Sequence, residues 1–466
     1  MSRRVDLLIV GAGPAGMSAA VVAKRHGLDV LVVDEQPSPG GQIWRNIETV
    51  AATARADLLG KAYAEGAAVV RQFRASGVDY EPGTQVWHVE AGARAFLRRG
   101  GSASSVAADR VMLATGAQER PVPFPGWTLP GVMTVGAAQI VLKSSGQVPD
   151  KPVWIAGSGP LPLLYAVQLL QAGGEIAGFL DTTPPGRAVA AMAALPAALF
   201  GAPGDLLKGL GWIIRLRRQV PCVRHVAEIE AIGEHGLERI RYVTADGRAA
   251  TVPADLLLVH EGLVPTIHPT LALGCRHVWN SEQDSFAPEL DGWGETSERH
   301  VFVAGDGAGI GGARAACLRG ELAALGIAAS TGRLSEAAAE ALAKPIRSRL
   351  ADALSPRAFL DRYYRPRAAV FVPADRTIAC RCEEVRVATI REQVSASRPG
   401  PNQVKAFTRV GMGPCQGRQC SYTVAHVLAA AEGRAVPDLG LYRVRPPLKP
   451  VTLGELAALD MMDSVP

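Results

Sequence analysis

The chain has 466 residues, 48% of them hydrophobic and 20% charged, with a net charge of +5. That length accommodates two to four domains with substantial cores, and the small charge, with no Lys/Arg stripe, argues against a nucleic-acid partner. No apolar run reaches membrane-spanning length, so no transmembrane segment is expected. The first strand, read as Val5–Val10, begins after four residues. That leaves no room for a signal peptide and gives a cytoplasmic expectation. In that reducing compartment paired cysteines are more often metal ligands than disulfides.

Val5–Val10 is a continuous apolar run suited to a buried parallel strand. It leads into Gly11-Ala12-Gly13-Pro14-Ala15-Gly16, then a helix from Met17 to Lys24, then a strand Val30–Val33 ending at Asp34. Strand, glycine loop, helix, strand and acid stand in the order of a dinucleotide-binding unit. Gly11 permits the tight turn, Gly13 the approach of a pyrophosphate, and Gly16 close helix–strand packing. The helix N-terminus offers N–H donors to the phosphates. Asp34 is the expected acceptor for ribose hydroxyls, with Glu35 the competing acid.

Two further segments favour FAD here. One is the apolar strand Val111–Ala114 running into Thr115-Gly116. The other is the strand Val301–Val303 running into Gly305-Asp306-Gly307. With the first glycine loop they resemble the two-dinucleotide-binding flavoproteins of the glutathione reductase and thioredoxin reductase type, over about residues 5–330. The resemblance implies that Asp306 contacts the flavin ribityl and phosphate region. It also implies that Pro39-Gly40-Gly41-Gln42 runs beside the isoalloxazine.

A second unit follows: the strand Val153–Ala156, Gly157-Ser158-Gly159-Pro160-Leu161-Pro162, an apolar helix, and a strand ending at Asp181. Pro162 replaces the third glycine, so the close helix–strand contact must change; Asp181 favours a free ribose 2′-hydroxyl over a phosphorylated one. NAD or another adenine nucleotide is the candidate occupant, and a vestigial, purely structural domain is the alternative. No Cys-x-x-Cys pair accompanies these units, so disulfide reduction is not expected. His225, His260 and His268 read as packing or surface residues. The apolar insertion 187–214 reads as core packing, a subunit interface or a flap over the second site. The cluster Arg215, Arg217 and Arg218 fits a solvated helix face. Two strand stretches, Ile229–Val243 and Thr251–Val259, are expected around the turn Asp246-Gly247.

Residues 331–372 read as a helical connector. Beyond it lie four of the chain's seven cysteines: Cys380, Cys382, then 32 residues, Cys415 and Cys420. Two close pairs of thiolates suit a [2Fe–2S] cluster, one pair to each iron, and structural zinc is the alternative. Glu383 and Glu384 are expected to open a helix after the first pair, and a helix Tyr422–Ala431 to follow the second. Cys222, Cys275 and Cys317 read as small buried apolar residues.

The cysteine layout resembles the bacterioferritin-associated ferredoxin-like module, departing from it in the wider Cys-x4-Cys pair. The whole chain carries the loop Gly411-Met412-Gly413-Pro414-Cys415-Gln416-Gly417-Arg418-Gln419-Cys420 and the tail Arg445–Val451. With these it resembles the α subunits of heteromeric flavin-dependent amine dehydrogenases: opine oxidases, D-hydroxyproline dehydrogenase and hydrogen cyanide synthase. Its N-terminal part is similar to a segment of the sarcosine oxidase large subunit.

The resemblance implies three partners: a β subunit of D-amino-acid-oxidase fold carrying its own FAD, a further small ferredoxin-like chain, and an electron acceptor. C–N oxidation then belongs to the β subunit, and no catalytic base is assigned to this chain. The competing readings are a self-contained NADH:acceptor flavin reductase, a hydrogen cyanide synthase subunit and a mainly structural subunit. The expected fold class is α/β. Residues 1–120 and 285–330 form the FAD-binding domain, 121–284 the second nucleotide domain, and 373–466 a small α-rich cluster domain with its tail.

Overall fold

The computed structural model describes residues 3–397, 400–457 and 459; the end of the expected tail, 460–466, lies outside them. The first sheet places Arg3–Val10 between Val30–Asp34 and Ser102–Leu113, all parallel. Asp79–Pro82 lies outside Val30–Asp34, and Val301–Val303 pairs the end of Ser102–Leu113. Arg94–Arg99 and Gln85–Val89 extend the sheet as antiparallel strands. The unbroken apolar run is explained by coverage on both faces, since Leu7, Leu8 and Ile9 are fully buried.

The helix Pro14–Arg25 packs on the helix Ala313–Ser330 through small residues. A Cβ on Gly320 would stand 2.1 Å from the Ala15 carbonyl oxygen, so the two backbones nearly touch. This contact brings the Gly305-Asp306 turn against the first glycine loop, far from it in sequence.

The second sheet is parallel, in the order Cys222–Val223, Ile176–Asp181, Val153–Ser158, Leu257–Glu261, Val132–Thr134. Beside it lies an antiparallel meander of Val226–Ile232, Arg239–Thr244 and Ala249–Pro253. The stretch expected as one strand from Ile229 to Val243 is thus two. The chain returns at Gly233 and Gly236, where a Cβ on Gly233 would meet the Gly236 oxygen at 1.7 Å. Likewise Thr251–Val259 is divided between the meander and the parallel sheet.

Two small antiparallel pairs, Ala117–Glu119 with Leu263–Pro265 and His277–Asn280 with Ser285–Pro288, join the two nucleotide units. They straddle the expected boundaries at 120/121 and 284/285.

The connector is helical over Glu336–Leu354 and Arg357–Tyr363. After it, Ile378–Cys380 and Val385–Arg386 form a short hairpin. Glu383 and Glu384 therefore do not open a helix. Glu384 sits at φ +51° in the turn, and the helix starts at Val387. The helix after the second cysteine pair runs Ser421–Glu432. Val387, Ile390, Val404, Val410, Val424 and Leu428 give this module its own core.

Candidate functional site

The first glycine loop is sterically committed to glycine. Gly11 has φ +109°, and a Cβ there would be 2.5 Å from the Ala114 oxygen; on Gly16 it would be 1.9 Å from the Gly11 oxygen. No side chain caps the helix that starts at Pro14, so its first N–H groups remain for a bound phosphate. Gly40 N donates to the Ala12 oxygen at 2.8 Å, and a Cβ on Gly41 would be 3.0 Å from the Gly13 Cα. The Gly40-Gly41 turn thus lies directly over the loop.

Asp34 and Glu35 diverge. Asp34 is buried, and its carboxylate accepts from Ala12 N at 2.6 Å and Gln36 N at 2.7 Å. Burial raises its pKa despite these two donors. Glu35 turns the other way and pairs with Lys449 at 2.9 Å. Asp306 accepts from Gly311 N and Gly312 N at 2.9 and 3.0 Å, shaping the turn into the helix Ala313–Ser330. Thr115 Oγ1 donates to the Thr266 carbonyl at 3.3 Å. Gly116, at φ +67°, accepts from Thr266 N at 3.0 Å. Asp34, Thr115, Gly116, Asp306 and the loop Gly11, Gly13, Pro14, Ala15 and Gly16 all lie at the C-terminal ends of the parallel strands. Ligands of open α/β sheets bind there.

Gln42, itself exposed, is the outer end of a polar chain that runs into the interior and that composition did not reveal. Its side-chain oxygen accepts from Arg45 at 2.7 Å and its carbonyl from Lys143 at 3.2 Å. Lys143 also donates to Gln139 at 2.9 Å, Gln139 to Gln168 at 3.0 Å, and Gln168 to the Leu59 carbonyl at 2.9 Å. Lys143 has no acidic partner among the described residues; burial first, then the Arg45 charge, lowers its pKa to about 7.

At the second unit, Gly157 lies against the chain at His260, and Gly159 has φ +109°. Pro160 and Pro162 both occupy the first turn of the helix Pro160–Gln171, and Pro162 is buried. A full ring stands where the first unit has no room for a Cβ, so the helix cannot approach its loop as closely. Asp181 accepts from Thr183 N at 3.0 Å. A pocket opens here, walled by Gly157, Ser158, Gly159, Asp181, Arg217 and Arg224 and closed by Tyr363 and Tyr364 of the connector.

His260 packs in the interior with a polar partner. It is buried, its Nδ1 lies 2.7 Å from Glu119 Oε1, and its ring borders Gly159. Burial would raise Glu119, but the His260 contact and the Gly136 N–H outweigh it and hold the carboxyl below its ordinary range.

The four cysteines come together two and two. Cys380 interacts directly with Cys420, and Cys382 with Cys415. Each spatial pair therefore takes one member from each sequence pair. Contact with Cys420 pulls the Cys380 thiol down to about 6; the N–H groups of Gly411, Glu383 and Cys382 act in the same sense, against burial. The Cys420 thiol is correspondingly pushed up. A Cβ on Gly413 would stand 2.2 Å from the Cys382 Cβ. Among the described residues, no three His, Cys, Asp or Glu side chains are arranged as the ligand set of a metal ion. The donor chemistry, four thiols with backbone N–H groups aimed at sulfur, fits an anionic cluster. Of the remaining cysteines Cys275 is buried, whereas Cys222 and Cys317 are partly exposed.

This module is docked on the nucleotide units. Gln118 donates to the Arg418 carbonyl at 2.9 Å, within the second cysteine loop, and Arg418 donates to the Leu448 carbonyl at 2.8 Å. Leu448 N donates to the Trp87 carbonyl at 2.6 Å, and Trp127 Nε1 to the Ile378 carbonyl at 2.7 Å.

Comparison with known proteins follows the same division of the chain. Residues 5–320 match the pyridine nucleotide-disulphide oxidoreductase family, and residues 374–460 match the sarcosine oxidase A3 domain. The opine oxidase A-type subunit of Agrobacterium tumefaciens (strain Ach5) is 44% identical, covering 97% of this chain and 92% of that protein. The hydrogen cyanide synthase protein HcnB of Pseudomonas protegens is 33% identical, covering 95% of this chain and 96% of that protein. The crystal structure of L-proline dehydrogenase from P. horikoshii aligns over 98% of this chain and 80% of that one, with TM-score 0.69 and 21% identity.

Proposed function

The chain belongs to the pyridine nucleotide-disulphide oxidoreductase family and, within it, to the group of opine oxidase A-type subunits; from that premise we propose its place in an electron-transfer complex. It is an FAD-dependent oxidoreductase subunit of a heteromeric amine or amino-acid oxidase. The substrate is an opine or a D-hydroxyproline-type secondary amine, oxidised at its C–N bond on a β subunit of D-amino-acid-oxidase fold with its own FAD. When bound, the FAD of this chain and the cluster supply two-electron and one-electron capacity, respectively.

The residues of this chain hold and orient. Gly11, Gly13 and Gly16 admit a pyrophosphate, Asp34 takes a ribose, and Asp306 takes the ribityl–phosphate region. Thr115, Gly116, Gly41 and Gln42 border the ring system. Cys380, Cys382, Cys415 and Cys420 ligate a [2Fe–2S] cluster. The observation that carries the reading is the docking of the thiol-bearing module on the first nucleotide unit, through Gln118 to Arg418 and Glu35 to Lys449. The second unit retains a nucleotide through Gly157, Gly159 and Asp181, NAD or another adenine nucleotide. The glycine loop and Asp181 line one pocket there, which supports this reading over a vestigial role.

The test is co-expression with a candidate β subunit of D-amino-acid-oxidase fold, followed by dye reduction with a panel of opines, hydroxyprolines and NADH. Amine-dependent turnover that needs both chains is the expected result. NADH-driven turnover by the isolated chain would instead make it a self-contained reductase.

A further inference from the structure

The helix Ser421–Glu432 starts at the residue after Cys420 and packs on the segment that follows the antiparallel pair Ala117–Glu119 with Leu263–Pro265. Val264 and Ile267 of that segment share a buried cluster with Phe286, Tyr422, Ala425 and Ala429. The Tyr422 hydroxyl accepts from Phe286 N at 3.1 Å. Apolar packing seats the helix, but it has no direction that would orient the cysteine loop ahead of it. Two polar side chains supply that direction.

Gln118 Nε2 donates to the Arg418 carbonyl at 2.9 Å. His268 is buried, and its imidazole meets the backbone carbonyl of Gln416, the residue after Cys415, with the Arg418 charge nearby. Burial first, then that charge, push its pKa down to about 4 against the Gln416 carbonyl, so it is a neutral donor at pH 7. Both side chains spring from the turn read as bordering the flavin. Gln118 stands two residues after Gly116, and His268 two residues after Thr266. Thr266 is locked to that turn: its N donates to the Gly116 carbonyl at 3.0 Å, and its carbonyl accepts from Thr115 Oγ1 at 3.3 Å.

We propose that Gln118 and His268 are positioning residues for electron transfer between the FAD of this chain and its cluster. They hold the Cys415–Cys420 loop against the flavin-bordering turn and so set the separation an electron must cross. This role rests on the FAD and [2Fe–2S] assignments proposed above. One electron moves at a time, lost by one cofactor and gained by the other. Neither side chain changes redox state, and no bond to either forms or breaks. From Gly116 the route to the cysteine loop runs along the chain to Gln118 and crosses one non-covalent step, the hydrogen bond to Arg418. Contacts behind a ligand loop also fix its geometry and the N–H groups it aims at sulfur. The pair Glu35–Lys449 tethers the tail elsewhere and involves neither the turn nor the cysteine loop.

The experiment is flash photoreduction of the full, cofactor-loaded chain by a deazaflavin donor. Flavin and cluster absorbance are followed as one electron equilibrates between them. Gln118→Met and His268→Leu should each slow that equilibration by about tenfold or more, the scale on which contacts behind a ligand act. FAD content, iron content and both midpoint potentials should stay at their wild-type values. His268→Gln, which keeps a donor for the Gln416 carbonyl, should restore most of the rate. Lys449→Met, which cuts a tether away from this route, should leave the rate unchanged. Amide hydrogen exchange across residues 411–420 should quicken in the two slow variants and not in Lys449→Met. The proposal is overturned if Gln118→Met and His268→Leu equilibrate like wild type, or if Lys449→Met slows as much as they do. It is equally overturned if those two variants lose FAD or iron, which would make both side chains structural. A wild-type chain holding FAD but no iron would sink the cluster assignment itself, and this role with it.

Discussion

Lys449 Nζ lies 2.9 Å from Glu35 Oε2, tying the C-terminal tail to the residue that follows Asp34. The contact engages Glu35 with the tail and leaves Asp34 as the acid at the glycine loop. Both partners of the pair are partly exposed, so it is expected to contribute under about 1 kcal/mol. Lys449→Met and Glu35→Gln should therefore keep bound FAD after gel filtration. Asp34→Ala should lose it, and should also destabilise the chain by about 1–3 kcal/mol by stripping the buried Ala12 N–H of its acceptor. The flavin-to-protein absorbance ratio reads the first effect and thermal unfolding the second.

The first loop tolerates no side chain at Gly16, whereas the second carries Pro162 at the matching place. Gly16→Ala is expected to force the helix off its strand, costing about 1–3 kcal/mol and releasing FAD. Pro162→Gly should leave FAD content unchanged. The same absorbance ratio decides both.

Cysteine substitutions separate the two centres. Cys380→Ser, Cys382→Ser, Cys415→Ser or Cys420→Ser should each lower iron from about two atoms per chain toward zero while FAD stays bound. Elemental analysis also tests the zinc alternative. One zinc and no iron in the wild-type chain would remove the cluster.

Lys143 gives the fold a pH signature. Its pKa is about 7 in the folded chain, against an ordinary 10.5, chiefly through burial. Between those values the unfolded chain holds a proton that the folded chain lacks, so stability rises with pH from about 7 upward. From pH 7 to pH 9 the gain is about 2 kcal/mol. Lys143→Met should abolish that rise; chemical denaturation at the two pH values measures it.

The parts of the site legible in the sequence were those set by backbone sterics. Gly11, Gly13, Gly16, Gly157 and Gly159 are readable because loop geometry admits little else there. The end of the second strand left Asp34 and Glu35 undecided, because one residue of slip reverses which side chain faces the loop. The Glu119–His260 contact, 141 residues apart, had no local signal; nor did the chain from Lys143 to Gln42.

The cysteines were found as sequence pairs, but their spatial pairing crosses between the two segments. Two adjacent glutamates read as a helix start, yet the chain needs a tight turn at Glu384 to fold Val385 back beside Cys380. Alanine-rich helices at 187–219 left three readings open, because periodicity does not say what lies on the other side of an apolar face.

The most direct test of the electron-transfer assignment is anaerobic absorbance and EPR spectroscopy of the purified complex during addition of an opine or hydroxyproline substrate. The account predicts bleaching of flavin together with a rhombic reduced-cluster signal. Both should be absent when the partner subunit is omitted, and the cluster signal should be absent in the Cys380→Ser complex. Full reduction of this chain alone by NADH, or a complex reduced by amine in which no cluster signal develops, would contradict it.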